Sequence, residues 1–315
     1  MKIAYIVLAH TDPGHIARLS RKVTKGTKNH VFIHVDSKVD IIPFENACQD
    51  IENVHFVEKR YKVFWAGFNS VTATVESYRE ALNYSDFDYF HILQGLDYPI
   101  KNNSEINDFF EKNNGKEIIR AINETNSAVL KVRFKYTLHW QFDSKNIFHV
   151  LHQKYNFAQL LWFKHLFEKK PVYIEENGKR YDIFRGWAHF ALTRQATEYC
   201  VNFYDTHPAF NEYFKHVYAA DESYFHTVIF NSEFAVKTID GKPIAEEDRS
   251  YGAYLNITYF EYPKEGVVLF KDISDYKKLN DSGYLFFRKA SSKSKELLDY
   301  IDSVHDKAAG RGYEG

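Results

Sequence analysis

The stretch Asp88-Tyr-Phe-His-Ile-Leu-Gln-Gly-Leu-Asp-Tyr-Pro-Ile100 constrains the fold of this chain more than any other. Tyr89 to Leu93 is a short aromatic and aliphatic run with no charged residue beyond His91, which reads as a strand buried on both faces. The character then changes at once. Gly95 permits a tight turn, Asp97 brings a carboxylate, and Pro99 is expected to forbid further sheet pairing. Ligands of open α/β sheets bind beyond the carboxyl ends of the strands, so a carboxylate at this place is well set for chemistry. The competing reading is that Asp97 only closes a turn with its own backbone.

The same plan recurs along the first 120 residues. Ile3 to Ala9 is an apolar run ending in His10, followed by a basic amphipathic helix over 16–25. Val31 to Val35 repeats it and ends in Asp36-Ser-Lys38, and Val54 to Val57 is a third short strand. Val71, Thr74, Val75, Tyr78 and Leu82 fall at helical spacing within 70–82. Glu105 to Lys112 is expected to be helical with Ser104 as cap, and Glu117 to Ala121 to be a strand. Strands alternating with helices predict a largely parallel α/β sheet.

Beyond this region, Val172–Ile174 and Arg180–Phe184 read as a hairpin turning at Asn177-Gly178. Thr193 caps a helix to Phe203, and Asp221-Glu222 opens another that ends at Phe230. Leu255–Phe260 and Val267–Phe270 suggest strands, and 293–304 a closing helix. Phe148 to Phe167 is rich in aromatics without regular pattern, and 308–315 reads as a flexible tail. With no repeat or linker in evidence, 1–307 is expected to be a single domain. Its halves divide near 122, the first for a nucleotide and the second for acceptor and catalysis.

Composition excludes several classes. A net charge of −1 gives no basic field for nucleic acid, and two cysteines, Cys48 and Cys200, are too few for a disulfide framework or a metal cluster. No apolar run approaches membrane-spanning length, and a strand starting at Lys2 leaves no room for a signal peptide, so a cytoplasmic location is expected. Neither G-x-G-x-x-G after the first strand nor a P-loop occurs, which disfavours dinucleotide binding and P-loop hydrolysis. His30 and His34 lie four strand residues apart, roughly 13 Å, too far to share a metal. Asp86-Phe-Asp88 matches D-x-D only as text, because it precedes its strand and so belongs to the edge opposite the ligand.

The candidate groups are therefore His10, Asp36 and Asp97 at strand ends, Asp221-Glu222, and the adjacent cations Arg288-Lys289. A glutamate facing a closed pocket could take a proton from an attacking hydroxyl, although acids also simply favour helix starts. Two cations after an apolar pair could neutralise a leaving diphosphate, or merely end a strand. The basic aromatic stretch 131–140, with Arg133, could line an acceptor cleft, touch anionic lipid heads, or cover a core.

Taken in order, these pieces resemble the core-2/I-branching β-1,6-N-acetylglucosaminyltransferase family, glycosyltransferase family 14, which also holds the peptide O-xylosyltransferases. The carrying motifs are Ala4-Tyr-Ile-Val-Leu-Ala-His10, Val31-Phe-Ile-His-Val-Asp36, Val63-Phe-Trp-Ala-Gly-Phe-Asn-Ser70 and Leu93-Gln-Gly-Leu-Asp-Tyr-Pro-Ile100. Arg185-Gly-Trp-Ala-His-Phe-Ala-Leu-Thr-Arg194, Asp221-Glu-Ser-Tyr-Phe-His-Thr-Val228 and Leu285-Phe-Phe-Arg-Lys289 complete the set. Ala66 departs from a W-G-G glycine, Gln94 from a loop serine, Gly186-Trp187 lacks the usual intervening residues, and Ala290 replaces a final Phe.

The resemblance implies a GT-A-like α/β fold with a mostly parallel sheet flanked by helices, and an inverting, metal-independent transfer from a UDP-sugar. It implies Glu222 as catalytic base, with Arg288 and Lys289 on the diphosphate. His10, Asp36 and Ser37 match the uridine pocket, Trp65 and Asp97 the donor side, and Trp187 an acceptor-facing segment. No cofactor or metal is expected. The partners implied are a UDP-sugar, GlcNAc or xylose among the donors, and a glycan or lipid-linked glycan acceptor, with peripheral contact at the inner face of the membrane. Lacking the membrane anchor and many cysteines of eukaryotic members, the chain reads as a bacterial relative. A non-catalytic glycan-binding module and a metal-dependent nucleotide hydrolase are the alternatives.

Overall fold

Every second residue of the first strand belongs to a different hydrophobic layer, and this alternation builds the molecule. In β1 (Ile3–Ala9), Ala4 and Ile6 enter one core while Ile3, Tyr5 and Val7 enter the other. A computed structural model describes residues 1–137, 140, 143, 170–250, 252–263 and 266–311. The aromatic stretch 148–167 and the end of the chain from 312 lie outside the described residues.

After β1 come α1 (Pro13–Thr24), β2 (His30–Val35), α2 (Ile42–Cys48), β3 (Val54–Phe56), α3 (Asn69–Tyr84) and β4 (Tyr89–Gln94). The main sheet adds a later strand, β10 (Ala191–Thr193), and is ordered β10-β4-β1-β2-β3. β1 pairs in parallel with β2 (Ala4↔His30) and with β4 (Ile3↔Tyr89), β2 pairs in parallel with β3, and β10 runs antiparallel to β4. The predicted mostly parallel α/β sheet is therefore present. The chain winds outward from β1 through β2 and β3, then returns to the other side as β4. The carboxyl ends of β1 and β4 consequently form a switch point, where connections diverge and leave a crevice.

Helices cover both faces. One core packs α3 together with α6 (Arg194–Thr206) and α8 (Tyr224–Phe230) against Ile6, Phe32, Phe90 and Ile92. The other packs α1, α4 (Asn103–Lys112) and α10 (Lys295–Arg311) against Tyr5, Val7, Ile33 and Leu93. Remaining elements are α5 (Leu130–Thr137), α7 (Pro208–Phe214) and α9 (Asp275–Asp281), with strands β5 to β9, β11 and β12 named below.

Several local expectations are corrected. Pro99 does not end sheet pairing: β5 (Asp97–Pro99) runs antiparallel to β12 (Phe286–Arg288), which is flanked in turn by β11 (Thr258–Phe260). Proline is tolerated because β5 is the edge strand of this sheet, where its missing donor leaves no ladder bond broken. The cap of α4 is Asn102 rather than Ser104; its side chain accepts from Glu105 N at 3.0 Å while Glu105 Oε2 accepts from Asn102 N at 3.0 Å. Glu117 to Ala121 makes only single bridges, at Glu117 and Ile118, ahead of a short β6 (Ile122–Asn123) paired with β9 (Phe184–Arg185). Val267 to Phe270 is no strand, although Val268 O and Phe270 N both bond to the Lys289 backbone at 3.0 Å. Helix α10 runs through Arg311, past the tail boundary expected at Ala308. The hairpin of β7 (Tyr173–Glu176) and β8 (Lys179–Asp182) does turn at Asn177-Gly178, both with positive φ of 52° and 73°.

Candidate active site

Three strand ends meet at the switch point. His10 follows β1 and is exposed over much of its surface; partial desolvation of its ring nonetheless outweighs the pull of Asp36, and with the cations Lys38, Arg288 and Lys289 nearby its pKa is lowered. Asp36 follows β2 and is buried. Its Oδ1 accepts from Lys38 N at 2.9 Å and its Oδ2 pairs with Lys38 Nζ at 2.8 Å. Arg60 stitches this loop down, donating to the carbonyls of Val35 (2.8 Å), Asp36 (3.1 Å) and Val39 (2.6 Å). Ser37 is exposed, and its N–H donates to Tyr61 O at 3.0 Å. The segment after Lys62 is tied to the same place, since Lys38 Nζ bonds Val63 O and lies over the Phe64 ring.

Asp97 proves to be wholly buried. Gln94 N donates to its Oδ2 at 2.7 Å, so the turn-closing reading is correct as far as it goes. Its Oδ1 also receives Arg288 Nη1 at 3.0 Å, and His189 Nε2 stands 3.3 Å from Oδ2. The antiparallel register Arg288↔Asp97 puts the two residues opposite each other. Burial raises the carboxyl, but His189, once its ring is charged, and Arg288 outweigh it and bring it down to about 2. Asp97 is thus absent from the cavity wall, and it positions Arg288, which lines it.

Beside this pair opens a cavity of about 580 Å³, a size usual for small-molecule sites. Arg288, His189 and Gln94 line one part; Asp221, Glu222, Arg185 and Lys135 another; Trp65, Trp187, Trp140, Tyr218, Phe260 and Tyr262 supply aromatic walls. Asp221 and Glu222 do not open an α-helix, as expected from sequence. They lie in a 3₁₀ turn (Ala220–Glu222), and α8 begins only at Tyr224. Arg185 Nη2 and Nε both donate to Glu222 Oε2, at 2.7 and 3.0 Å, and Lys135 Nζ lies 3.8 Å from the same oxygen. Oε1 has no hydrogen-bond partner among the described residues. Burial pulls the Glu222 carboxyl upward, but Arg185 and Lys135 together win and hold it below the ordinary glutamate value. Asp221 goes the other way, pushed up to about 7 by burial and by the charge of Glu222.

The backbone around Glu222 is tightly specified. Gly186 N donates to Glu222 O at 2.9 Å, and a Cβ at Gly186 would stand 2.1 Å from Arg120 O and 2.6 Å from His226 Nε2. Ala66 (φ 63°) and Ala219 (φ 54°) are both in the left-handed region, and Ala219 N donates to Ala66 O at 3.1 Å. Each such alanine costs on the order of 1–3 kcal/mol, a strain that the surrounding structure must hold. Ala66 thus keeps a conformation better suited to glycine, and Trp65, 55% exposed, is carried at the cavity rim with its ring edge-on to Tyr218.

Of the residues singled out in sequence, Glu222, Trp65, Trp187 and Arg288 share this cavity, while His10, Asp36 and Ser37 gather at the adjoining strand ends. Lys289 is partly buried, and burial with the charge of Arg288 lowers its pKa. Arg133, read as an acceptor-side residue, is exposed and does not line the cavity, whereas Lys135 two residues on faces Glu222. Arg185, Lys135 and His189 are cavity residues that the sequence reading missed. Arg185 and His189 lie within a quoted motif, and only their pairing with distant carboxylates marks them out. Asp86 is fully exposed beside Arg194, and Asp88 Oδ2 accepts from Lys2 N at 2.7 Å, at the sheet edge opposite the cavity. His34 Nε2 accepts from Tyr61 N at 2.9 Å, and His30 stacks on His55, both structural contacts.

A model of the Core-2/I-Branching enzyme family matches residues 3–242. Xylosyltransferase 2 of Homo sapiens is 27% identical over 241 residues, covering 74% of this chain and 25% of that protein. The probable beta-1,3-galactosyl-O-glycosyl-glycoprotein beta-1,6-N-acetylglucosaminyltransferase 7 of Sus scrofa is 32% identical over 110 residues, covering 33% of this chain and 25% of that protein. The chain thus spans about a quarter of the length of the curated relatives it matches. Among solved structures, S. aureus TarS aligns with 45% of this chain and 25% of its own at 16% identity, with a TM-score of 0.29. No helix among the described residues is long and apolar enough to cross a membrane.

Proposed function

Because the chain belongs to the Core-2/I-branching enzyme family, we propose that it transfers a sugar from a UDP-sugar to a hydroxyl of a glycan acceptor, with inversion. UDP-GlcNAc is the first candidate donor and UDP-xylose the second, since relatives named for both transfers match this chain. The observation that carries the reading is one cavity holding an anchored carboxylate, Glu222, and a cation presented by a buried partner, Arg288.

In this reading the acceptor oxygen attacks the anomeric carbon and its proton passes to Glu222 Oε1, the oxygen that Arg185 and Lys135 leave bare. The bond from the anomeric carbon to the phosphate oxygen breaks, and its electron pair leaves on UDP. A carboxylate held ionised suffices as base, because the hydroxyl becomes strongly acidic only as the new bond forms. Arg288 and Lys289 meet the charge on the departing diphosphate, the work a metal does in other transferases, so no metal is required. The aromatic faces of Trp187, Trp65 and Tyr262 suit the apolar faces of sugar rings on the acceptor side. The acceptor is a glycan, free or lipid-linked, and the work is cytoplasmic.

Release of UDP from a panel of UDP-sugars, with EDTA present and candidate acceptors supplied, tests this. Wild type should turn over one donor, and Glu222→Gln should lose about 10²–10⁴-fold in rate while still binding UDP. A strict need for Mn²⁺ or Mg²⁺ would remove the role given to Arg288 and Lys289. Binding of UDP and glycan with no turnover would instead leave a binding module.

A further inference from the structure

Asp97 is a fully buried carboxylate whose counter-ion is also the cation offered to the ligand. Arg288 Nη1 stands 3.0 Å from Asp97 Oδ1 and lines the cavity. A diphosphate drawing on Arg288 leaves Asp97 short of positive charge inside the protein, and an uncompensated buried charge is strongly unfavourable. A second basic group is already beside it. His189 Nε2 is 3.3 Å from Asp97 Oδ2, an ion-pair approach longer than an aligned hydrogen bond, and His189 also lines the cavity. Both of its ring nitrogens are buried and make no aligned hydrogen bond among the described residues. A charged ring in the free protein would leave two buried N–H groups without aligned acceptors, so a neutral ring fits the free site.

The other groups facing this cluster do not take the role. His91, on β4, feels both Asp97 and His189 but is held neutral by complete burial among Tyr5, Phe110 and Phe286. His15, on α1, is also pushed toward neutrality by burial, and it meets only the backbone Asp97 O, at 3.1 Å. Gln94 contributes a neutral N–H, and Phe260 packs on the His189 ring.

We propose that His189 is the exchange counter-ion of Asp97: when a nucleoside diphosphate engages Arg288, the His189 ring takes up a proton from solvent and replaces the guanidinium at the carboxylate. This rests on the UDP-donor reading above. His189 acts through Asp97 and is a positioning residue, with no bond made or broken beyond the proton gained. Nucleotide capture is then coupled to protonation, and the cavity gains one positive charge as the diphosphate enters.

The test is calorimetric binding of UDP between pH 6 and 8, in buffers of different ionisation enthalpy, for wild type and His189→Gln. Wild type should take up more protons than the variant. Its Kd should weaken with rising pH by up to about tenfold per unit relative to the variant across the ring's titration. The terminal phosphate of UDP titrates in the same range but is common to both proteins. Equal proton uptake with parallel pH dependence overturns the proposal. Ring nitrogen chemical shifts of His189 in the wild-type protein give the answer without any variant: neutral in the free protein and charged with UDP at pH 7 is expected. A ring in one state throughout overturns the exchange while leaving the donor reading intact. Failure of wild type to bind UDP at all overturns both.

Discussion

Removing the Arg185 charge while keeping its stem, as in Arg185→Met, isolates what holds Glu222 ionised. Both guanidinium contacts fall on Oε2 at 2.7 and 3.0 Å, with side chains only 15% and 20% exposed, so solvent screens the pair weakly. Removing one partner of a largely buried ion pair leaves the other charge uncompensated and costs roughly 3–5 kcal/mol. Lys135, at 3.8 Å, remains, which favours the lower half of that range. The direction with pH follows from the sign of the shift. In the wild type the depressed carboxyl contributes stability above the unfolded glutamate pKa, and this is lost as pH falls through the lower folded value. In the variant, burial is opposed by Lys135 alone and the folded pKa rises. The stability gap between the two proteins should therefore be widest near pH 7 and close on acidification toward pH 4. Urea unfolding at several pH values measures it, and the same substitution on a Glu222→Gln background should cost much less. A gap that is constant with pH, or unchanged on that background, would refute the ion-pair account and leave the guanidinium's contacts with the Trp187 and Tyr254 rings as the cause.

Three further outcomes are expected. Gly186→Ala should destabilise by roughly 1–3 kcal/mol or more in thermal or urea unfolding, because its Cβ meets backbone at Arg120 O as well as His226. It should also lower turnover, since the Gly186 N–H holds the Glu222 carbonyl. For Asp221→Asn, the raised carboxyl of the wild type means its stabilising neutral form is lost as pH rises toward about 7. The variant should gain relative stability between about pH 4 and pH 7 and keep that gain above, as read by melting temperatures at pH 5 and 8. Ala66→Gly, which relieves the Cβ at φ 63°, should stabilise by roughly 0–2.5 kcal/mol in urea unfolding, because strain of about 1–3 kcal/mol is offset only by about 0.5–1 kcal/mol of added chain entropy in the unfolded state.

Much of the strand-end edge of the main sheet was readable from local pattern. The parallel strands declare themselves as apolar runs because both faces are buried, and the polar residue that ends each run marks the ligand edge. His10, Asp36 and the Gly95 turn were found this way. The hairpin at Asn177-Gly178 was equally legible, since few residues other than Asn and Gly accept two successive positive φ values. Where local pattern misled, a distant partner was the reason. Pro99 reads as a stop until β12 is seen to use only the other edge of its strand, and Asp97 reads as a ligand-edge carboxylate or a turn closer until Arg288, 191 residues away, is placed upon it.

What the sequence determines by itself is thus the periodic part: which runs are strands, which faces of helices are apolar, and which motifs stand in the order of the family. Periodicity is a property of neighbours along the chain, and the solvent enforces it residue by residue. Only the tertiary structure decides which charges meet. Arg185 with Glu222, Lys135 with the same oxygen, and His189 with Asp97 are joined across 37, 87 and 92 residues by the packing of separate elements. Electrostatic strength depends on distance and burial in space, neither of which sequence spacing records, and so the partners that tune each carboxylate were invisible until the fold brought them together.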